Sequence, residues 1–201
     1  MQAFDYLAPT TVDEAVAALA ARGPQARPMA GGTDIIIQAR EDRKDVSAMI
    51  DVKSIPELMA ISISADGLRL GAAVPCARIY NNAEIARQYP ALIESVSLIG
   101  GIQIQSRASV GGNLCNSGPA GDSIPTLIAL GAVCEIAGPT GRRSVPVEQF
   151  CTAPGRNILQ PAEILVALTF PAPAAHSGAA FERFIPRNEM DIAVASAGVN
   201  I

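Results

Sequence analysis

The chain has 201 residues, 49% hydrophobic and 17% charged, enough apolar material for one large domain or two small ones and no signature of disorder. A net charge of -4, with both signs interspersed and no Lys/Arg-rich run, argues against a nucleic-acid partner. No apolar run reaches the ~18–20 residues of a membrane span, and the N-terminus M-Q-A-F-D-Y-L-A-P lacks the pattern of a signal peptide, so the expected location is cytoplasmic. The four cysteines, Cys76, Cys115, Cys134 and Cys151, form no C-x-x-C pair, and the one histidine, His176, lies in the loop-like P-A-P-A-A-H-S-G. Zinc, an iron–sulfur cluster held by this chain and nucleophilic catalysis are therefore not expected, and the thiols should be free and buried.

In chain order, Thr11-Val12-Asp13-Glu14 opens a helix with a capping box, with Ala15, Val16, Leu19 and Ala20 on one face, and Gly23-Pro24 stops it. Arg27 to Ala30 predicts a short strand, Asp34 to Arg40 a short helix or turn, and Ser47 to Val52 an apolar strand. A boundary falls at Ser54-Ile55-Pro56-Glu57. I-S-I-S at 61–64 and L-R-L at 68–70 flank Asp66-Gly67 and predict a hairpin. Val74 to about Gly100 reads as helix broken near Pro90, followed by a glycine-rich stretch from Ile102 to Asp122 and a short helix from Pro125 to Leu130. Residues 132–137 and 142–147 form a second hairpin around Gly138-Pro139-Thr140-Gly141, and Ile164 to Phe170 is a strand. After a Pro/Ala linker at 171–178 come alternating residues 179–184 and a strand-like run from Met190 to Ile201. That last run reads as a lone strand ending in mid-course, which could not bury itself.

Two stretches share a backbone device: A-G-G-T-D at 30–34 and S-V-G-G-N at 109–113. A glycine pair lets main-chain N–H groups approach an anion, and successive N–H groups in a tight turn form a nest for phosphate oxygens. Each pair alone reads as an ordinary turn; together they would suit a diphosphate, one nest for each phosphate. Neither stands in a G-x-G-x-x-G or G-x-x-x-x-G-K-[ST] frame, so neither a Rossmann domain nor a P-loop is supported.

A-G-G-T-D-I-I-I-Q at 30–38 resembles the first flavin motif of the FAD-binding subunits of molybdenum hydroxylases, the family of carbon monoxide dehydrogenase medium chains and xanthine dehydrogenase FAD subunits. The run from Ile102 to Ala132 resembles the second motif, Q-I-R-N-x-A-T-I-G-G-N-x-x-x-x-S-P-x-x-D-x-x-P-x-L-x-A-L. F-E-R-F-I-P-R-N-E-M-D-I-A at 181–193 resembles a third. The resemblance implies an α+β fold of the two-subdomain, PCMH/vanillyl-alcohol oxidase type. Subdomains at 1–53 and 54–175 would be followed at 176–201 by the start of a truncated C-terminal α+β domain.

By the same resemblance, FAD would be held by Ala30, Gly31, Gly32, Thr33 and Asp34, by Ser109, Gly111, Gly112 and Asn113, and by Asp122, Leu165 and Arg183. Taken alone, Asp122 reads as a helix N-cap, Leu165 as ordinary core and Asp191 as a surface charge on a strand. Departures from the pattern are Ser109 for Thr, Gln105 for Arg, Gly118 for Ser and Arg183 for Lys. The implied function is an electron-transfer subunit. A molybdopterin-containing large subunit would hydroxylate the substrate, a [2Fe-2S] small subunit would relay electrons, and FAD here would pass them to NAD, oxygen or a quinone-linked acceptor. The competing readings are a flavin-free scaffold or assembly subunit and a stand-alone flavin oxidase.

Overall fold

The computed structural model describes residues 3–188 and 191–201. In the first unit, β1 (Asp5–Leu7), α1 (Val12–Arg22), β2 (Ala26–Met29), α2 (Ile35–Arg40) and β3 (Ala48–Asp51) build a three-stranded parallel sheet, order β1-β3-β2. The capping box of α1 forms: Glu14 N–H donates to Thr11 Oγ1 at 3.2 Å, and the Glu14 carboxylate accepts from the N–H of Thr11 at 3.3 Å. Val12, Ala15, Val16 and Leu19 are the buried face. Central β3 is buried at every position, as a strand covered on both faces must be.

The second unit begins with the expected hairpin, β4 (Ile61–Ser64) and β5 (Gly67–Gly71). Six short helices follow: α3 (Cys76–Tyr80), α4 (Ala83–Gln88), α5 (Pro90–Val96), α6 (Ile102–Gln105), α7 (Val110–Asn116) and α8 (Ser123–Ala129). Then come β6 (Val133–Gly138), β7 (Gly141–Pro146), the small pair β8 (Cys151–Ala153) and β9 (Arg156–Asn157), and β10 (Ile164–Pro171). The antiparallel sheet runs β4-β5-β10-β6-β7, so β10 closes it from the middle. Its side chains part between two cores. Leu165, Leu168 and Phe170 join the large core with Leu68, Leu70 and Ile136, whereas Ile164 and Val166 join Val12, Leu19 and Ile50 of the first unit. A bulge between Leu165 and Ala167 marks the change.

Beyond the linker, β11 (Ala179–Phe184) and β12 (Ala195–Asn200) pair in full antiparallel register, from Ala179↔Asn200 to Phe184↔Ala195. The expected lone strand is thus not alone. Phe181 is buried, and its N–H donates to the Glu94 carboxylate of α5 at 2.8 Å. At Gly198 the hairpin meets α8 backbone to backbone: a Cβ there would lie 2.6 Å from the Pro125 carbonyl oxygen.

The glycine-rich stretch from Ile102 to Asp122, given no element in the sequence, contains α6 and α7. Two expected element starts are corrected. The helix expected from Pro125 starts at Ser123. The final strand starts only at Ala195. Asp191 precedes it, in no strand, and accepts from the main-chain and side-chain N–H groups of Arg187; Glu189 and Met190 of the third motif lie outside the described residues. Among the described residues no helix is long and apolar enough to cross a membrane.

Candidate functional site

A cavity of about 400 Å³ lies where the two units meet, a size that suits a small-molecule ligand. Ala30, Gly31, Gly32, Thr33 and Asp34 line it after β2; Ser109, Gly111, Gly112 and Asn113 line it from α7 and its cap; Leu165 lines it from β10. Ten of the residues singled out in the sequence thus meet in one cavity wall. Ile99, Leu159 and Ile164 add apolar surface.

The two glycine pairs are built differently. Gly32 has φ +78°, in the left-handed region that favours glycine. The N–H groups of Gly31, Gly32 and Thr33 find no acceptor among the described residues. Three successive free donors in a turn make an anion nest. Gly31 also presses on the chain before the second pair, since a Cβ there would stand 1.9 Å from the Arg107 carbonyl oxygen.

The second pair opens a helix rather than an irregular turn, and of its two N–H groups only that of Gly112 has an acceptor among the described residues. Gly111 and Gly112 lie in the first turn of α7, capped by Ser109, whose Oγ accepts from Gly112 N–H at 3.1 Å. A Cβ on Gly111 would meet the Ala72 oxygen at 2.4 Å and the Ala72 Cβ at 2.6 Å. This glycine is required by close packing of α7 on the end of β5. Asn113 Oδ1 accepts from Ser123 Oγ at 2.6 Å.

Side chains outside the expected set tie the cavity together. Asn116 donates to Asp34 Oδ1 at 3.2 Å and accepts from Gln38 Nε2 at 3.0 Å, clasping α7 to the first loop. Lys53 Nζ donates to the Ala30 carbonyl at 2.9 Å and to Asp51 Oδ1 at 2.6 Å. Arg27 and Lys44 line the cavity as cations. Burial, with repulsion from Arg27, holds the Lys44 ammonium below the usual lysine range, against the pull of Asp34. Burial pushes the Asp34 carboxyl up, offset in part by Lys44; as a whole residue Asp34 remains exposed, so this burial is local to its carboxylate.

Asp122 and Arg183 do not line the cavity; they pair with each other. Arg183 reaches both Asp122 oxygens at 3.1 Å, with side chains 7% and 12% exposed, and also donates to the Leu98 carbonyl. Burial raises the Asp122 carboxyl, partly offset by Arg183. Asp122 occupies the N-cap position of α8 without making a cap bond. Its neighbour Ser123 bonds Asn113, so the pair stands one residue from the cavity wall.

The four thiols are free. Cys115 lines the cavity, but burial pushes it up to about 12, which removes it as a nucleophile at neutral pH. No group of metal ligands assembles among the described residues. The free donors and two cations suit a diphosphate, and the apolar wall suits a planar ring.

Comparison with known proteins gives the chain a family. Residues 2–173 match the family model described as the FAD binding domain in molybdopterin dehydrogenase. The xanthine dehydrogenase FAD-binding subunit of Escherichia coli O157:H7 is 38% identical over 176 residues, covering 87% of this chain and 60% of its own length. Among solved structures, carbon monoxide dehydrogenase from Hydrogenophaga pseudoflava, in a form lacking the Mo-pyranopterin moiety, superposes with a TM-score of 0.95 at 30% identity, over 100% of this chain and 69% of that one. Quinoline 2-oxidoreductase from Pseudomonas putida 86 gives 0.91 at 29% identity, over 98% and 68%. This chain therefore spans about three fifths to two thirds of the length of these relatives, and it belongs to the family of FAD-binding domains of molybdopterin dehydrogenases.

Proposed function

We propose that this chain is the FAD-binding, electron-transferring part of a cytoplasmic molybdenum hydroxylase complex. Its partners are a molybdopterin-containing large subunit and a [2Fe-2S] small subunit, and its electrons leave to NAD, oxygen or a quinone-linked acceptor. The observation that carries this reading is the run of free N–H donors at Gly31, Gly32 and Thr33, set in the cavity of a chain from an FAD-binding family. When bound, FAD supplies the redox chemistry, accepting and releasing two electrons. The chain's residues bind and orient it. The first loop holds phosphate oxygens, and Arg27 and Lys44 offset their charge. Ser109 and Asn113 add contacts from α7, with Gly111 and Gly112 shaping that wall. Leu165, with Ile164 and Ile99, keeps water from the ring. Asp122 and Arg183 border the site through Ser123 and Asn113. In this assignment the units are 1–53 and 54–175, with 176–201 belonging to a further C-terminal domain.

The test is purification with whatever chains accompany this one. Flavin stoichiometric with the chain, together with molybdenum and iron–sulfur subunits, is the expected result. A colourless protein that takes up no added FAD would overturn the reading, and a flavoprotein that oxidises a substrate without those partners would replace it with a stand-alone oxidase. Anaerobic reduction by the substrate, followed by addition of NAD, oxygen or a quinone, identifies the acceptor.

A further inference from the structure

Lys53 lies outside the three flavin motifs and beside the boundary between the two units. Its side chain is 25% exposed, and its ammonium makes two bonds, to Asp51 Oδ1 at 2.6 Å and to the Ala30 carbonyl oxygen at 2.9 Å. Asp51 in turn is held by its own set of donors. Lys53 N–H reaches Oδ1 at 3.0 Å, and Tyr6 OH donates to Oδ2. The last residue of β3, the first strand and the turn after β3 thus converge on one carbonyl group of the first glycine loop.

That carbonyl matters because of what shares its peptide plane. The Ala30–Gly31 bond is trans, since no cis peptide occurs among the described residues. In a planar trans peptide the C=O of one residue and the N–H of the next point in opposite directions. An ammonium that holds Ala30 C=O therefore fixes the direction of Gly31 N–H, the first of the three free donors. The plane has little freedom on its other side, because the Gly31 Cα rests against the Arg107 carbonyl. An unheld Ala30 carbonyl could rotate and bring its own partial negative charge toward the anion.

We propose that Lys53 is a positioning residue for the phosphate cradle. By engaging the Ala30 carbonyl it orients Gly31 N–H and keeps a carbonyl dipole out of the anion site. Because the Asp51 carboxylate neutralises the ammonium it holds, Lys53 acts through the direction of the peptide and not through net charge. This rests on the FAD reading above.

The test measures FAD and ADP affinity of the full-length protein, in its native assembly, after flavin removal. Lys53→Met should weaken both ligands by about the same factor, tenfold or more, because both carry the diphosphate. Lys53→Arg, which can still donate to Ala30 O, should recover most of the loss. Lys53→Met should also lower the thermal midpoint of the flavin-free protein, because the bond to Asp51 goes with the ammonium, but its loss of affinity, measured well below both midpoints, should exceed what that destabilisation accounts for. Lys53→Gln serves as a milder neutral variant if Lys53→Met does not fold. The proposal is overturned if Lys53→Met or Lys53→Gln binds both ligands within twofold of wild type. It is equally overturned if Lys53→Arg is as impaired as the neutral variant, or if affinity falls only in step with the thermal midpoint. Failure of the wild-type protein itself to bind FAD overturns the functional reading, and this inference with it.

Discussion

Gly31-Gly32 and Gly111-Gly112 share a dipeptide and a small polar successor, yet they solve different problems. The first pair sits in an irregular turn with a left-handed Gly32, and leaves three successive donors free. The second begins a helix, with Gly111 wedged on Ala72 and Gly112 bonded to its own cap. A glycine pair is thus a statement about space, and whether that space belongs to a ligand or to another stretch of chain depends on what the fold places against it. Gly31 belongs partly to both classes. Its missing Cβ makes room for Arg107 O, while its N–H stays free. Gly31→Ala should therefore have the largest effect of any change at either pair. A Cβ 1.9 Å from a backbone oxygen cannot be relieved by a rotamer, so the two loops must separate. We expect a loss of about 3 kcal/mol together with loss of bound flavin, read as thermal midpoint and flavin-to-protein absorbance. Wild-type flavin content in this variant would contradict the contact.

Gly111→Ala isolates the packing role. Alanine is the better helix former by about 0.5–1 kcal/mol, but its Cβ would overlap Ala72 O and Cβ at 2.4 and 2.6 Å. The clash should win, with a net destabilisation of about 2 kcal/mol, roughly 4–8 °C in midpoint for a chain of this size. Flavin affinity measured below the transition should fall less than in Gly31→Ala. A reversed order would place the ligand's main donors on α7 rather than on the first loop.

Local chemistry made much of the fold legible. The α1 capping box and the Asp66-Gly67 hairpin are read from residues within four positions of one another, and both form. The same holds for the hairpin at 133–146. Helix α7 was illegible because Gly and Asn have poor helix propensity; it is held by Ser109 capping and by packing on Ala72, neither visible as a periodicity. The site divides in the same way. The first loop stands out as a motif. The clasp of Asn116 with Asp34 and Gln38 joins residues 82 and 78 positions apart, so no window of sequence carries it. Arg27 and Lys44 read as ordinary surface charge until β2 and the turn after α2 bring both to one cavity.

The comparison also predicts a difference in acid. Loop one is braced by an ionised group, Asp51, whereas loop two is held by packing and a neutral cap. Burial tends to raise the Asp51 carboxyl, but hydrogen bonds from Lys53 and Tyr6 outweigh it and the net position is below the usual range. A carboxyl depressed on folding contributes stability above its unfolded pKa of about 3.9, and that contribution is lost as pH falls through the folded value. Asp51→Asn should thus cost about 1.5 kcal/mol at pH 7 through lost charge-assisted bonds. The gap to wild type should close as the pH drops below about 4. Thermal midpoints across that range check this; a gap that stays constant would mean Asp51 is not acting as a carboxylate.

The smallest effect should come from Gly112→Ala, and it is the sharpest discriminator. Replacing glycine in a helix gains about 0.5–1 kcal/mol. The new Cβ would stand 3.0 Å from Ser109 Oγ, so the hydroxyl must give way by a few tenths of an ångström and part of the cap is lost. A cap of this kind is worth about 1 kcal/mol, so gain and loss nearly cancel and the single variant should lie within about 0.5 kcal/mol of wild type. Ser109→Ala alone should cost about 1 kcal/mol. In that background the obstructing oxygen is gone, and adding Gly112→Ala should become stabilising by about 0.5–1 kcal/mol. This coupling, read from a four-member cycle of thermal midpoints, is expected only if Gly112 is a helix residue whose N–H belongs to its cap. If Gly112→Ala instead left stability unchanged in both backgrounds but abolished flavin binding, the second pair would face the ligand as the first does, and the contrast between the two would fail.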